Sequence, residues 1–353
     1  MNEDFAPIRL SLGEWTGALG DLGTFVPIYL ALVALNGLPP VRSLILVGMV
    51  YIGCSLYFRI PIPVQPLKAM GAIAIAKRLG MPMLAAGGLW MGVLLLTLAF
   101  TGRIGWLSRY FTQPIIKGIQ LGVGLMLMKV GLKLITAGPS HAASTGLSAS
   151  PLNLFGFISV LWILVLPQLP LTLGNAVFAV SDAAHGYFPA GKTRRVTPRS
   201  LAISLGLANL ITGALGGLPV CHGSGGLTAH YRFGARTAGS TIITGALYIV
   251  LALAFAGRAH KILGLIPTPL LGAMVIYVGI CHVLLVQGLK EKNFLALGLG
   301  LIGLVTGNFT YALGFGLAAE QIYSLRDAVT TNERSISWVA LGRRKSSSSR
   351  SSA

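Results

Sequence analysis

Acidic side chains are scarce in this sequence. Nine Asp and Glu stand against 27 Lys and Arg in 353 residues, and charged residues make up only 10% of the chain. Soluble domains carry about 25%, so composition excludes an ordinary soluble fold. Cysteine is almost missing as well. Cys54, Cys221 and Cys281 lie inside apolar segments without CxxC spacing, which argues against both a disulfide framework and a metal site. Cys221/His222 is an adjacent pair of metal-ligand type, but no other His or Cys stands at ligand spacing from it. His141, His185, His222, His230, His260 and His282 are scattered with no HExxH or comparable pairing, so a membrane-embedded enzyme has no evident catalytic set. The N-terminus lacks a basic region followed by a cleavage site, so no removable signal peptide is expected. No soluble domain is expected after the last apolar segment, no cofactor is implied, and no metal is expected.

What is abundant is apolar sequence. The chain is 54% hydrophobic with mean hydropathy +0.76, and one membrane crossing needs about 20 apolar residues. An all-α polytopic membrane protein follows. Apolar segments are read at 13–34, 41–58, 64–77, 82–101, 112–136, 150–169, 171–190, 200–216, 222–236, 238–256, 267–288, 293–306 and 309–325. The 46 glycines suit close helix packing in lipid. The net charge of +18 points to no nucleic acid; the positives sit in short loops, where they set orientation in the bilayer. With both termini cytoplasmic, the basic clusters at 192–199, 232–236, 290–292 and the C-terminus fall inside, while Lys77/Arg78 and Arg258/Lys261 fall outside. The expected location is a bacterial inner membrane. The first half has one segment too few or too many for this parity. The Ser/Arg-rich tail 326–353 is expected to be disordered, its end in part a cloning remnant.

Two motif pairs recur at nearly one offset. "LGDLGTF" (19–25) pairs with "LGNAVF" (173–178), which aligns Asp21 with Asn175, 154 positions later. "IPVQP" (62–66) pairs with "LPVCH" (218–222), which aligns Pro63 with Pro219, 156 positions later. This order is the mark of an internal repeat. Prolines remove amide donors and force extended backbone, so 60–65 and 217–221 read as short extended segments, each followed by a half-helix. In the topology above the two run in opposite directions, and their helix N-termini converge near the midplane.

Helix N-termini present unpaired N–H groups and fractional positive charge. Two that face one cavity make an anion site with few charged side chains. Gln65 is a donor there and Lys68 the one cation, whose cost at membrane depth is several kcal/mol unless an anion offsets it. The second start, "CHGSGG", contributes Cys221, His222, Gly223, Ser224 and Gly225, the glycines allowing close approach of backbone amides. The first motif pair adds Asp21, Thr24 and Phe25, with Asn175 and Phe178. Glu14 and Asp21 stand seven residues apart, a spacing repeated by Asn175 and Asp182. Asp21, Glu14 and Asp182 are therefore the proton-coupling candidates, since intramembrane acids mark ion and proton paths. "GLGLIG" (298–303) matches GxGxxG but lies within an apolar run and reads as helix packing.

The stretch "GGLPVCHGSGGLTAHYRFGARTAGS" (216–240), with "IPTPLLGAM" (266–274), resembles the SulP sulfate permease pattern, and "SRYFTQPIIKGIQLGVGL" (108–125) is similar to that family's fifth span. "GALGDLGTFVP", "PVQPLKA", "GNAVFAVSD" and "CHGSGGL…YRFGART" more closely resemble the molybdate transporter family, a relative without the STAS domain. The resemblance implies a seven-plus-seven inverted-repeat (UraA/SulP-like) fold in which a core domain moves against a gate domain. The first repeat would be 1–170, with core spans about 13–101 and gate spans about 112–169. The second would be 171–325, with core spans about 171–256 and gate spans about 267–325. Substrate would lie between the third and tenth spans. SulP proteins carry an arginine on the tenth span where Gly226 stands here, and Lys68 is the candidate for that charge.

The expectation is a secondary transporter of a tetrahedral oxyanion, molybdate first and sulfate second, coupled to protons and embedded in the lipid bilayer. A homodimer is compatible with it. The rivals are a symporter of a nucleobase or other organic anion on the same fold, disfavoured by the absence of a glutamate on the eighth span, and the membrane-embedded enzyme.

Overall fold

The computed structural model describes residues 7–136, 153–258, 265–284, 286 and 293–323. The expected tail and the 290–292 cluster lie outside them. The helices are α1 (Leu12–Ala18), α2 (Leu22–Asn36), α3 (Pro40–Phe58), α4 (Lys68–Lys77), α5 (Met81–Phe100), α6 (Ile104–Ser108) and α7 (Gln113–Thr136). After them come α8 (Leu154–Tyr187), α9 (Pro198–Ala214), α10 (Ser224–Arg232), α11 (Gly239–Ala254), α12 (Thr268–Leu284) and α13 (Asn293–Thr306), with α14 over 309–323. Five helical stretches, Leu12–Asn36, α3, α5, α7 and α8, are long and apolar enough to cross a membrane, and α11, α12 and α13 are shorter apolar helices.

Proline and small polar residues set the breaks. Pro40 opens α3 and Pro198 opens α9, where a first-turn proline costs no hydrogen bond. Thr197 and Ser200 close a capping box on α9. Prolines 61, 63 and 66 then keep the chain extended before α4, and Pro219 does the same before α10. Both extended segments, each followed by its half-helix, are present as the sequence predicts. They pair as a two-residue antiparallel ladder, β1 (Gln65–Pro66) on β2 (Val220–Cys221), with Gln65 opposite Cys221. Leu67 N–H continues the ladder to the Pro219 carbonyl at 3.1 Å. On the far side of β2, Asn209 of α9 takes Val220 N–H at 2.9 Å and donates to its carbonyl at 2.6 Å. Non-helical backbone at membrane depth must be satisfied by protein, and these bonds do it.

Gln65 and Cys221 are 156 positions apart, the offset of the sequence repeat, so each faces its own counterpart. Gly124 of α7 and Gly279 of α12, 155 apart, do likewise: a Cβ on either would come within 2.7 Å of the other's carbonyl oxygen. A residue that touches its own counterpart marks a pseudo-two-fold axis. The pairs α3–α11 and α5–α9 exchange under the same operation, as an inverted repeat requires.

One boundary differs from expectation. The segments read at 150–169 and 171–190 are a single helix, α8, of 34 residues. Pro167 and Pro170 lie inside it, and their missing donors are absorbed by π-type turns over Leu161–Val165 and Thr172–Phe178. The expected repeat boundary at 170/171 falls within this helix. Fusing the two segments removes the parity conflict. Among the described residues, five crossings precede α8 and seven begin with it, so the first half is two crossings short and downstream orientation is unchanged.

Candidate functional site

Lys68 and Ser224, the first residues of α4 and α10 and again 156 apart, each follow the strand pair within three residues, at opposite ends of its antiparallel ladder. Neither helix start is capped by the side chain of its N-cap residue, Leu67 or Gly223. On α10 the first amide taken by the preceding turn is Leu227 N–H, bound to the Gly223 carbonyl at 3.1 Å. The amides of Ser224, Gly225 and Gly226 are the orphan donors of a helix start. A Cβ on Gly225 would meet nothing within 4 Å, so this turn borders open space. On α4, Met70 N–H is taken by Gln168 Oε1 of α8 at 3.0 Å.

Gln65 lies between the two starts, almost fully buried. Its Nε2 donates to Asp21 Oδ1, while its Oε1 is buried without a partner among the described residues. Gly223 and Gly226 make room for that amide. A Cβ on Gly223 would run into Gln65 Oε1, and one on Gly226 would come within 2.7 Å of Gln65 Nε2, 2.8 Å of Pro63 Cβ and 3.0 Å of Asp21 Oδ1. An arginine at position 226, as in the SulP pattern, has no space here. Asp21 sits at the break between α1 and α2, and its Oδ2 takes the Tyr51 hydroxyl at 2.8 Å. Both of its oxygens are thus engaged.

Asn175 lies in the second π turn of α8, and its Oδ1 accepts from Ser224 Oγ at 2.6 Å. Phe178 is half-buried three residues on, and Thr24 is half-buried in the first turn of α2. Lys68 is half-buried, and its ammonium makes no hydrogen bond or ion pair with another described residue. Its charge acts on Cys221 and on His282 of α12. Cys221 Sγ is buried and turned to the Pro66 carbonyl at 3.4 Å.

Three expected site residues are engaged elsewhere, and a fourth is exposed. Glu14 is buried against the start of α11, where its carboxylate accepts from the amides of Arg236, Thr237 and Ser240 at 2.8–2.9 Å. It is a helix cap. His222 spends one ring nitrogen on the Pro63 carbonyl at 2.8 Å and the other on Ser204 Oγ at 3.0 Å, which ties the proline segment to α9. Phe25 stacks on Tyr29 and Tyr248 in the core, with centroids 5.5 and 4.6 Å away. Asp182 is exposed near the end of α8. Sequence reading missed Gln168, Tyr51 and Asn209, each of which holds a piece of the site. "LPQLP" carried a signal for the first, an amide between prolines in an apolar run, as in "PVQP".

The profile of the family described as "Molybdate transporter of MFS superfamily" matches residues 13–127 and 160–281, and so spans both half-helices. The chain belongs to this molybdate transporter family. Relatives include molybdate transporter 2 of Arabidopsis thaliana, 28% identical over 86% of this chain and 85% of that protein. Molybdate transporter 1 of Chlamydomonas reinhardtii is 25% identical over 77% of this chain and 83% of that protein. Among solved structures, the transmembrane domain of the cyanobacterial bicarbonate transporter BicA overlaps 87% of this chain and 98% of its own, with TM-score 0.57 and 15% identity. The SLC26A9 structure overlaps 90% of this chain and 65% of its own, with TM-score 0.59 and 14% identity. The SulP/SLC26-like fold expected from the motifs is therefore the fold of this family member. It is an integral membrane transporter, not an enzyme.

Proposed function

We propose that this molybdate-transporter family member is a secondary active transporter of tetrahedral oxyanion dianions, molybdate before sulfate, which it binds between the starts of α4 and α10. The observation that carries this reading is that both half-helices begin within three residues of one strand pair, the first of them at Lys68, whose ammonium makes no ion pair with a described residue. The orphan amides at the start of α10 and the Lys68 ammonium at the start of α4 are donors and charge that a dianion satisfies together. The names of the relatives place molybdate first. In this reading the core is α1–α5 with α8–α11, the gate is α7 with α12–α14, and rocking of one on the other exposes the site to each side. We place the protein in a bacterial inner membrane with both termini cytoplasmic.

Proton coupling is assigned to Asp21, acting through Gln65. With Asp21 ionised, Gln65 Nε2 is held by the carboxylate and the bare Oε1 is left beside Gly223, where an acceptor repels an anion. A proton on Asp21 Oδ1 makes that oxygen a donor. The amide then turns, Oε1 takes the proton's hydrogen bond and Nε2 is freed for the anion. Proton and oxyanion bind together in this scheme.

The test is uptake of radiolabelled molybdate into proteoliposomes, alongside a thermal-shift series of oxyanions on purified protein. The reading expects stabilisation by micromolar molybdate, loss of binding and uptake in Lys68→Ala with folding retained, and accumulation that stops when the proton gradient is collapsed. Undiminished uptake by folded Lys68→Ala refutes the site, and uptake indifferent to the gradient refutes the coupling.

A further inference from the structure

Lys77 and Arg78 end α4, and Lys129 and Lys133 stand one turn apart on α7, which packs along α4. All four line one cavity of about 390 Å³, with Ile75 and Met126 on its walls and the end of α13 closing its far side. None of its lining residues is acidic. Arg78 adopts a left-handed backbone with φ 54°, and its Nη1 is buried without a partner among the described residues. The Lys77 ammonium lies against the turn at Gly307. In the proposed orientation this is the outer face, where lysine and arginine are ordinarily sparse in short loops. Four like charges around one hollow repel one another, and no acid among the described residues lines it, so an anion there is favoured.

The position of the cavity suggests which anion. Lys68 begins α4 and Lys77 ends it, so the cavity lies about 14 Å along the helix axis from the half-helix start. It opens where α4 of the core meets α7 of the gate, the boundary an oxyanion must follow to reach Lys68. We propose that this cavity is a vestibule that captures the tetrahedral dianion and concentrates it ahead of the inner site. The proposal rests on the oxyanion reading above. Its cations sit on long flexible stems and make no fixed cradle, so it accepts hydrated molybdate and sulfate alike and leaves selection to the inner site. A focusing patch of this kind raises association by about 10- to 1,000-fold, and salt abolishes the gain. A phospholipid phosphate has the same chemistry, and the test separates the two sources.

Lys129 and Lys133 are exposed, so Lys129→Gln/Lys133→Gln removes charge without disturbing packing. Initial rates of molybdate uptake are measured in phosphatidylcholine vesicles at low and high ionic strength. The expected result is a KM raised about tenfold at low salt with Vmax unchanged, a difference from the wild type that vanishes at high salt, and recovery in Lys129→Arg/Lys133→Arg. Equal KM values for the wild type and the folded double Gln variant at low salt overturn the proposal. So does a difference that appears only in vesicles containing phosphatidylglycerol, which makes the cavity a lipid site. If the double variant melts early, Lys129→Gln alone decides, with a KM raised about threefold or not at all. Absence of uptake by the wild type is a distinct result, because it refutes the oxyanion reading itself.

Discussion

Asp21→Asn separates anion binding from proton coupling. In the structure Asp21 presents one oxygen to the Tyr51 hydroxyl, at 2.8 Å, and the other to Gln65 Nε2. An asparagine placed with its carbonyl toward Tyr51 keeps the first bond and turns an NH2 toward Gln65. The Gln65 amide must then present Oε1 to that NH2, which satisfies the buried orphan oxygen and releases Nε2 to the anion. One added donor to a charged acceptor is worth about 1.5–3 kcal/mol, and each 1.4 kcal/mol is about tenfold in affinity. Molybdate binding by the variant at alkaline pH is therefore expected to be about 10- to 100-fold tighter than wild type. Binding is read by titration calorimetry on detergent-solubilised protein across pH, and transport by gradient-driven accumulation against molybdate–molybdate exchange in proteoliposomes. Accumulation should be lost while exchange survives. A variant that still accumulates molybdate on a proton gradient, or whose affinity keeps the wild-type pH dependence, refutes the assignment of the proton to Asp21.

Gly226→Ala forces a methyl into the 2.7–3.0 Å shell of Gln65, Pro63 and Asp21; overpacking of this order costs about 1–3 kcal/mol, so both melting temperature and molybdate affinity should fall. Gly225→Ala meets nothing within 4 Å, so its melting temperature should match wild type, while uptake falls because the methyl enters the space assigned to the anion. Glu14→Ala strips three backbone amides at the start of α11 of their acceptor and should destabilise the fold by about 1–3 kcal/mol for each amide left unsatisfied, with the proton dependence of uptake by the folded fraction unchanged. Tyr51→Phe removes one hydrogen bond to a carboxylate and should cost about 1.5–3 kcal/mol, seen in the denaturation midpoint.

The two half-helices were legible because prolines act locally: 60–66 and 217–221 had no alternative to extended backbone, and amphipathic context was not needed to find them. What misled sequence reading was periodicity carried across places where the helix is not regular. Glu14 and Asp21 are seven apart and belong to one face of an unbroken helix, but α1 ends at Ala18 and α2 begins at Leu22. The break rotates Glu14 away toward α11. Asn175 and Asp182 repeat the spacing, yet the π turn over Thr172–Phe178 shifts the phase between them, and only Asn175 reaches Ser224. The boundary read between 150–169 and 171–190 falls at "LPQLP", where the prolines remove donors and π turns compensate for them. Gln168, Tyr51 and Asn209 act across more than one element, and such partners are specified by packing that no local window contains.

The repeat sets where the site's groups stand, and its departures from symmetry set their charge. At two pairs of counterparts the first half carries the ionisable member, Lys68 against Ser224 and Asp21 against Asn175. A symmetric pair of cations would hold a dianion too firmly to release it, whereas one lysine leaves the balance unfinished. Two helix starts contribute about half a positive charge each, which together with Lys68 offsets a dianion almost completely. An ionised Asp21 would leave one negative charge uncompensated in a site screened little by water. Under the proposed scheme one proton on Asp21 for each dianion bound restores neutrality, and a second fixed cation at position 226 would neutralise the site without that proton.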